Sequence, residues 1–554
     1  MGVFESVTRG GQTWAHRMRM LKQVLRLIFL GSLTSCLLFF VGKLSLEPQE
    51  RFQAVYYLLK ASLPSTTDRI SVSGDFWSTI THKASRKKPI SVPKRQITRA
   101  CKPHADHLKN KAFHLLREVP WIFLITSSLL LLFFLLKGLA SKRQKHLKGT
   151  RLEKSWKIKL KMTLTRQKSD LKMGSIPLLK NSETQHMLIC GATGTGKTNA
   201  LRQLISQIRK RGERAVIIDT TGDFVTRFYH EEKDILFNPY DPRSKTWHPW
   251  CECQHDYQFK QLVSSLIPKN THAYDDFFPE AARAVIFEML MKHHHLEHHD
   301  IEGFVQDLLT KSVSELYQDL KDTEARIYVD PEGERTAVSI RATIANSIRH
   351  LTTLKNSPDP FSIREWILSE KTNMLFLSCQ PEQREALNVL MSVWLSTAFN
   401  AMRARTPKKT WFIIDELHSL QKLEYLEETL AELRKYGGAI VLATQNISQL
   451  DKIYGHHGAK IILDQCATKV SFRQSDLEIA KRMSGFFGQR EFQETREGLS
   501  YGAHQMRDGV NLSNLEKTKA TVTPTEILNL PDLEAFIKLP GNYPALKTKF
   551  FYKD

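Results

Sequence analysis

The residues best suited to chemistry form one continuous run, Gly191-Ala192-Thr193-Gly194-Thr195-Gly196-Lys197-Thr198. The run fits G-x-x-x-x-G-K-[ST] at every fixed position. Gly191, Gly194 and Gly196 let the backbone curl so that successive N–H groups face a bound phosphate. Lys197 is long enough to reach β- and γ-phosphates, and the Thr198 hydroxyl is a ligand for Mg²⁺. ATP with Mg²⁺ is therefore the expected ligand pair. Trp411-Phe-Ile-Ile-Asp415-Glu416 reads as a buried strand ending in two acids. Asp415 is placed to hold Mg²⁺ and Glu416 to orient an attacking water. Gly438–Gln445 reads as another strand, and its terminal Gln445 is either a γ-phosphate sensor or a capped loop.

These groups need a scaffold that delivers them to one edge. His186–Cys190 reads as a strand before the glycine loop, and Leu201, Leu204, Ile205 and Ile208 share one face of a helix after it. Further strands are expected at Arg214–Asp219, at Asn373–Ser378, near Ile461–Leu463 and at Thr468–Phe472. Helices are expected at Tyr257–Leu266, Pro279–His294, Ile301–Leu320 and Arg335–Leu354. Strands alternating with helices predict a parallel sheet with its ligand at the strand C-termini. The expected fold is α/β: a RecA-like P-loop NTPase core with an all-helical insert, preceded by a two-helix transmembrane anchor. The core takes residues 176–248 and 358–554, and the insert 249–357.

Charge is segregated along the chain. The net charge is +22, from 80 Lys+Arg against 58 Asp+Glu, and residues 1–180 hold about 34 of the basic and 9 of the acidic residues. That segment also carries the apolar runs Leu27–Val41 and Trp121–Leu136. Extended by their flanks to 24–42 and 119–140, both reach spanning length. Arg9, Arg17, Arg19 and Lys22 precede the first, and Lys137, Lys142, Arg143, Lys145 and Lys148 follow the second. Basic outer flanks predict a hairpin with both ends, 1–23 and the 141–175 linker, in the cytoplasm. The 43–118 loop is then periplasmic. It is itself basic (Arg86, Lys87, Lys88, Lys94, Arg95), which long loops tolerate. A cleaved signal ending near Cys36 is disfavoured because the apolar run continues past it. The basic 142–180 segment suits either anionic lipid or DNA.

The seven cysteines show no disulfide framework, and Cys251 and Cys253 have no partner pair for zinc. His294/His298 and His295/His299 stand at i, i+4 spacing, where such pairs can bind Zn²⁺. An incidental, solvated cluster is the expectation.

Several further motifs carry a resemblance to a known family. Ile218-Asp-Thr-Thr-Gly-Asp-Phe-Val-Thr-Arg-Phe-Tyr229, Leu236-Phe-Asn-Pro-Tyr-Asp-Pro-Arg243, Ser339-Ile-Arg-Ala-Thr343, Phe361-Ser-Ile-Arg364 and Asp415-Glu-Leu-His-Ser-Leu resemble the type IV secretion coupling proteins, the TraD/TrwB group of conjugation motors. The similarity spans roughly residues 175–550. It implies an inner-membrane homo-hexamer that receives a relaxase–DNA complex and drives single-stranded DNA toward the secretion channel. It also implies that Arg434, in Leu433-Arg-Lys-Tyr-Gly, is an arginine finger reaching a neighbour's nucleotide. By its type and context alone it is a solvated helix charge. No long acidic tail follows the core, so substrate docking is expected to fall to the insert or to other proteins. Two other readings stay open: a receptor for protein substrates of the secretion machine, and an FtsK/HerA-like double-strand translocase. The absence of a winged-helix DNA reader after residue 500 counts against FtsK.

Overall fold

The computed structural model describes residues 3–64, 67–84, 87–141, 145–269, 276–296, 298–404, 408–500 and 509–552. Arg86, Lys142 and Arg143 lie outside them. The chain divides into two compact units, one of residues 1–145 with 495–514, the other of 146–494 with 515–554.

In the first unit two long helices, Val3–Ser45 and Lys94–Ser141, each contain a segment long and apolar enough to cross a membrane. They pack antiparallel through small and polar residues. Ser32 and Ser127 share a hydrogen bond of 2.8 Å, the Cys36 thiol donates to the Val119 carbonyl, and Phe29 meets Phe123 edge to face at 5.7 Å. Small side chains are what allow apolar helices to approach where no hydrophobic driving force exists between them. Beyond the apolar runs both helices continue. Helices Gln49–Ser62 and Gly74–Thr81 and the antiparallel pair Arg69–Val72/Ile90–Pro93 pack with them around Ala54, Val72, Phe76 and Ile97.

A ten-stranded sheet organises the second unit. Its strands lie in the order Leu152–Glu153, Ala545–Lys549, Glu534–Lys538, Thr468–Ser471, Met187–Cys190, Gly438–Thr444, Thr410–Ile414, Arg214–Asp219, Met374–Ser378, Ile235–Phe237. The seven from Thr468–Ser471 onward are mutually parallel, and Glu534–Lys538 runs antiparallel to its neighbours. The Met187–Cys190 strand is fully buried at the centre. The glycine loop thus emerges from the middle of the sheet, flanked by the C-terminal ends of two neighbours. Helix Lys197–Lys210 follows, with Leu201, Leu204, Ile205 and Ile208 fully buried.

Two sequence expectations need correction here. Ile461–Leu463 is helical, within Ile447–Gln465. Ala459, Ile462 and Leu463 are buried at the 3–4-residue spacing of one helix face, and a three-residue apolar run cannot by itself separate helix from strand. Ile301–Leu320 is two helices, Ile301–Thr310 and Val313–Asp319. Ser312 breaks it by capping the second helix in a reciprocal box with Glu315. Between Ile235–Phe237 and Met374–Ser378 every regular element among the described residues is helical.

Buried Glu252, set between Cys251 and Cys253, ties the start of this helical region to its end. Its carboxylate accepts from the Ile363 and Arg364 amides (2.6 and 2.8 Å) and from Trp247 Nε1 (2.8 Å). An acid at a helix N-terminus satisfies amides that the helix itself cannot. This explains the Phe361–Arg364 motif, which forms the mouth of helix Ile363–Leu368.

Candidate nucleotide site

Two glycines of the loop Gly191–Gly196 sit where neighbouring atoms leave no room for a side chain. A Cβ on Gly191 would lie 2.6 Å from Phe472 Cβ, and Gly196 has φ +115° with Leu533 Cδ2 3.0 Å from where its Cβ would be. Neighbouring strand ends hold the loop: the Ala192 amide donates to the Arg473 carbonyl (2.8 Å), and the Leu533 amide to the Thr195 carbonyl (2.9 Å). The Thr195 hydroxyl closes the turn onto the Ala192 carbonyl at 2.7 Å. Gly194, at φ +75°, is exposed at the tip with Thr193.

Lys197 is buried, and its Nζ donates to the carbonyls of Gly191 (2.7 Å) and Ala192 (3.0 Å). The ammonium is therefore folded back inside the loop, where burial lowers its pKa against the upward pull of Cys190, Asp415 and Glu416. Thr198 follows in the first helical turn, half-buried.

Asp415 and Glu416 leave the C-terminal end of Thr410–Ile414, two strands from the loop. Burial pushes the Asp415 carboxyl up to about 7, reinforced by the negative charges of Glu416, Asp219 and Asp223 and opposed by Lys197. The Gln445 amide donates to Glu416 Oε1, and its oxygen accepts from the Thr193 hydroxyl at 2.7 Å. Thr193, Gln445 and Glu416 thus form one hydrogen-bonded chain from the loop to the acid. His418 Nε2 sits 3.7 Å from the other Glu416 oxygen. Lys197, Asp415, Glu416 and Gln445 stand together around the loop.

Arg434 is not among them. It opens the short turn Arg434–Tyr436 before strand Gly438–Thr444, exposed, at the opposite end of the sheet. Seven residues of strand place it about 20 Å from the loop of its own chain. Beneath it is buried His186, whose Nε2 meets the Leu430 carbonyl at 2.6 Å while Nδ1 accepts from the Ile440 amide. Burial holds this imidazole neutral, down to about 4, helped by the Arg434 charge.

Sequence reasoning gave no site role to Asp219 and Asp223. Asp219 accepts the Gly222 and Val225 amides, both at 2.9 Å, and starts helix Asp223–Phe228; Asp223 pairs with Arg202 at 2.5 Å. The signal was present in the carboxylate ending strand Arg214–Asp219. The histidine expectation also changes. Helix Phe277–His294 ends before the i, i+4 pairs can form. His293 is buried, and His294 and Trp250 each stack on His299, at 5.7 and 5.3 Å.

Residues 170–550 match the family described as Type IV secretion-system coupling protein DNA-binding domain. Coupling protein TraD of Escherichia coli K12 is 33% identical over 395 residues, covering 70% of this chain and 55% of TraD. Protein VirD4 of Rhizobium rhizogenes is 22% identical over 415 residues, 68% of this chain and 60% of VirD4. The chain thus spans little more than half the length of these curated relatives. Solved structures of the conjugative coupling protein TrwB superpose with TM-scores of 0.66 (with sulphate), 0.65 (with the ATP analogue ADPNP) and 0.66 (with ADP and Mg²⁺), at 27–28% identity. Each covers 74% of this chain and 95% of the TrwB fragment. The parallel sheet with a glycine loop at its centre is a RecA-like NTPase fold, and with the match across 170–550 it places this chain in the type IV secretion-system coupling protein family.

Proposed function

We propose that this chain is a membrane-anchored ATPase that works as a homo-hexamer, couples a relaxase–DNA complex to a type IV secretion channel and pumps single-stranded DNA in conjugation. The observation that carries this reading is the convergence of Lys197, Asp415, Glu416 and Gln445 on one glycine loop. The relatives TraD and TrwB, the latter solved with ADPNP and with ADP and Mg²⁺, support it.

The residues fit ATP and Mg²⁺ on their own chemistry. Burial and then the neighbouring acids raise Asp415 to about 7, and a divalent cation would offset both by pairing with the carboxylate. Asp415 and Thr198 would hold Mg²⁺, and the amides of 191–198 with Lys197 would cradle the phosphates. When bound, the cation neutralises charge on the phosphates. To engage them, Lys197 must leave the Gly191 and Ala192 carbonyls. Glu416 orients a water while Gln445 fixes that carboxylate relative to the loop. Arg434, exposed and remote from its own loop, is free to serve a neighbouring subunit. The two apolar helices would anchor the chain in the bacterial inner membrane with the ATPase cytoplasmic and residues 43–118 periplasmic.

The test is steady-state ATP hydrolysis by the full chain in detergent, with single-stranded oligonucleotides, duplexes or purified secretion-substrate proteins added. Single strands should stimulate most. Stimulation should be indifferent to sequence and fall steeply with salt, as phosphate contacts dictate. Stimulation by a protein substrate alone, with none by DNA, would replace the DNA-pump reading with that of a protein receptor.

A further inference from the structure

Helix Ser155–Leu164 has two unlike faces. Ile158 and Met162 are buried against the second unit's core. Trp156, Leu160 and Leu164 are exposed by 58%, 54% and 75%. Their i, i+4, i+8 spacing puts them on one stripe, and Lys154, Lys157, Lys159 and Lys161 surround it. Three large apolar side chains in line on a ten-residue surface helix require an explanation that isolated exposed leucines do not.

A cavity of about 730 Å³ lies beside this helix, lined by His146, Lys148, Arg151, Lys157, Lys161 and Lys538 among others. Its single acid, Glu153, pairs with Lys157 at 3.4 Å. Lys538 is turned onto backbone carbonyls, and Lys161 lies over the Tyr543 ring at 5.1 Å. Lys148, Arg151 and Lys161 have no carboxylate partner among the described residues. Both ring nitrogens of His146 are buried without a hydrogen bond. A wide basic cavity with an unbonded imidazole calls for an anion carrying several acceptor oxygens.

We infer that this helix and cavity form a docking element for an anionic phospholipid surface: the cavity takes a phosphate-bearing headgroup and Trp156, Leu160 and Leu164 enter the interfacial zone. This rests on the reading of Lys94–Ser141 as a membrane-spanning helix. A tryptophan and leucines rimmed by lysines are the composition of interfacial helices. DNA would satisfy the cavity but gives the apolar stripe nothing to bury. Only four residues, 142–145, lie between Ser141 and His146, a tether of at most about 18 Å between a bilayer holding that helix and the first residue of the cavity.

The full chain, reconstituted into nanodiscs, allows a direct test by hydrogen–deuterium exchange over residues 154–164. Discs of phosphatidylcholine alone are compared with discs containing phosphatidylglycerol. Exchange should slow only in the anionic discs. Each lysine near an anionic surface is worth about fivefold in association, so Lys157→Gln with Lys161→Gln should return exchange to its neutral-disc rate. Trp156→Ser with Leu160→Ser, both at exposed positions, should do the same while the exchange of Lys197–Lys210 reports an intact core. Glycerol 3-phosphate added to neutral discs separates a free phosphate ligand from a lipid; protection by it alone would overturn the bilayer as the occupant. Equal protection in both discs would overturn the proposal, as would protection by an oligonucleotide in neutral discs, or protection that tracks subunit association. Extraction of the chain from vesicles by alkaline carbonate would fail the spanning-helix reading separately.

Discussion

The two ends of the same parallel strands are built on opposite principles. At the C-terminal end, around Lys197 and Asp415, charge is poorly accommodated: burial and three further acids press on Asp415, and the ammonium makes do with backbone carbonyls. At the N-terminal end, His186 is neutral with both ring nitrogens bonded, and the Arg434 guanidinium beside it faces solvent. In the homo-hexamer proposed above, the crowded loop would be the receptor end and the Arg434 guanidinium of the next subunit the donor, the polarity a head-to-tail ring needs to close a site between neighbours.

The sharpest way to break this comparison is to separate the ends between protomers. Arg434→Ala should lower hydrolysis by about 10³-fold or more if the guanidinium acts as a finger on a neighbour. Arg434→Lys should rescue poorly, because an ammonium lacks the planar fork. Lys197→Ala should abolish hydrolysis through the other end. Mixed assemblies of Arg434→Ala and Lys197→Ala protomers would contain some interfaces with a good loop and a good finger. Phosphate release across mixing ratios should therefore recover in part. No recovery, with mixed assemblies confirmed by size, would confine Arg434 to its own subunit.

A smaller effect is expected within the receptor end. Gln445 donates to Glu416 and accepts from Thr193, so its loss uncouples the acid from the loop. Gln445→Ala should cost about a hundredfold in turnover, the range seen for loss of one oriented donor. Binding of a fluorescent ATP analogue should barely change. An equal loss in binding and turnover would make Gln445 a ground-state contact instead.

The receptor end was legible in the sequence because its chemistry is local. Eight consecutive residues define the loop, and Asp415-Glu416 and Gln445 each terminate an apolar run. What stayed hidden depended on pairing across the chain. Glu252 gives no hint in sequence that it caps a helix more than a hundred residues on. The strands Gln489–Ser500 and Gly509–Ala520 are not legible in the sequence because QREFQETREGLS alternates no apolar set, so it carries no period-2 signal. His186 was read only as the start of a strand, since its role lies in bonds to Leu430 and Ile440.

The last expected effect concerns stability, and it turns on the sign of the Asp415 shift. Its folded-state pKa, about 7, is above the ordinary carboxylate value. Between roughly pH 4 and 7 the native state therefore holds a proton that the unfolded chain has lost. Stability contributed by this group is present at low pH and lost as pH rises through 7, the reverse of an ion-paired aspartate. Replacing the carboxylate by an amide of the same shape removes the buried charge without opening a cavity. Asp415→Asn should thus unfold at a higher temperature than the parent chain near pH 8, by an amount worth up to about 4 kcal/mol. Near pH 4 and below, where the unfolded chain also holds the proton, the two should converge. Mg²⁺ with a non-hydrolysable ATP analogue should reverse the order at pH 8, because bound cation satisfies the carboxylate and binding to the native state alone adds stability. Thermal unfolding of both proteins at the two pH values, with and without the ligand pair, supplies the comparison. A parent chain that gains on the variant as pH rises, without ligand, would show that Asp415 is ion-paired in the resting site and that charge at the receptor end is well accommodated.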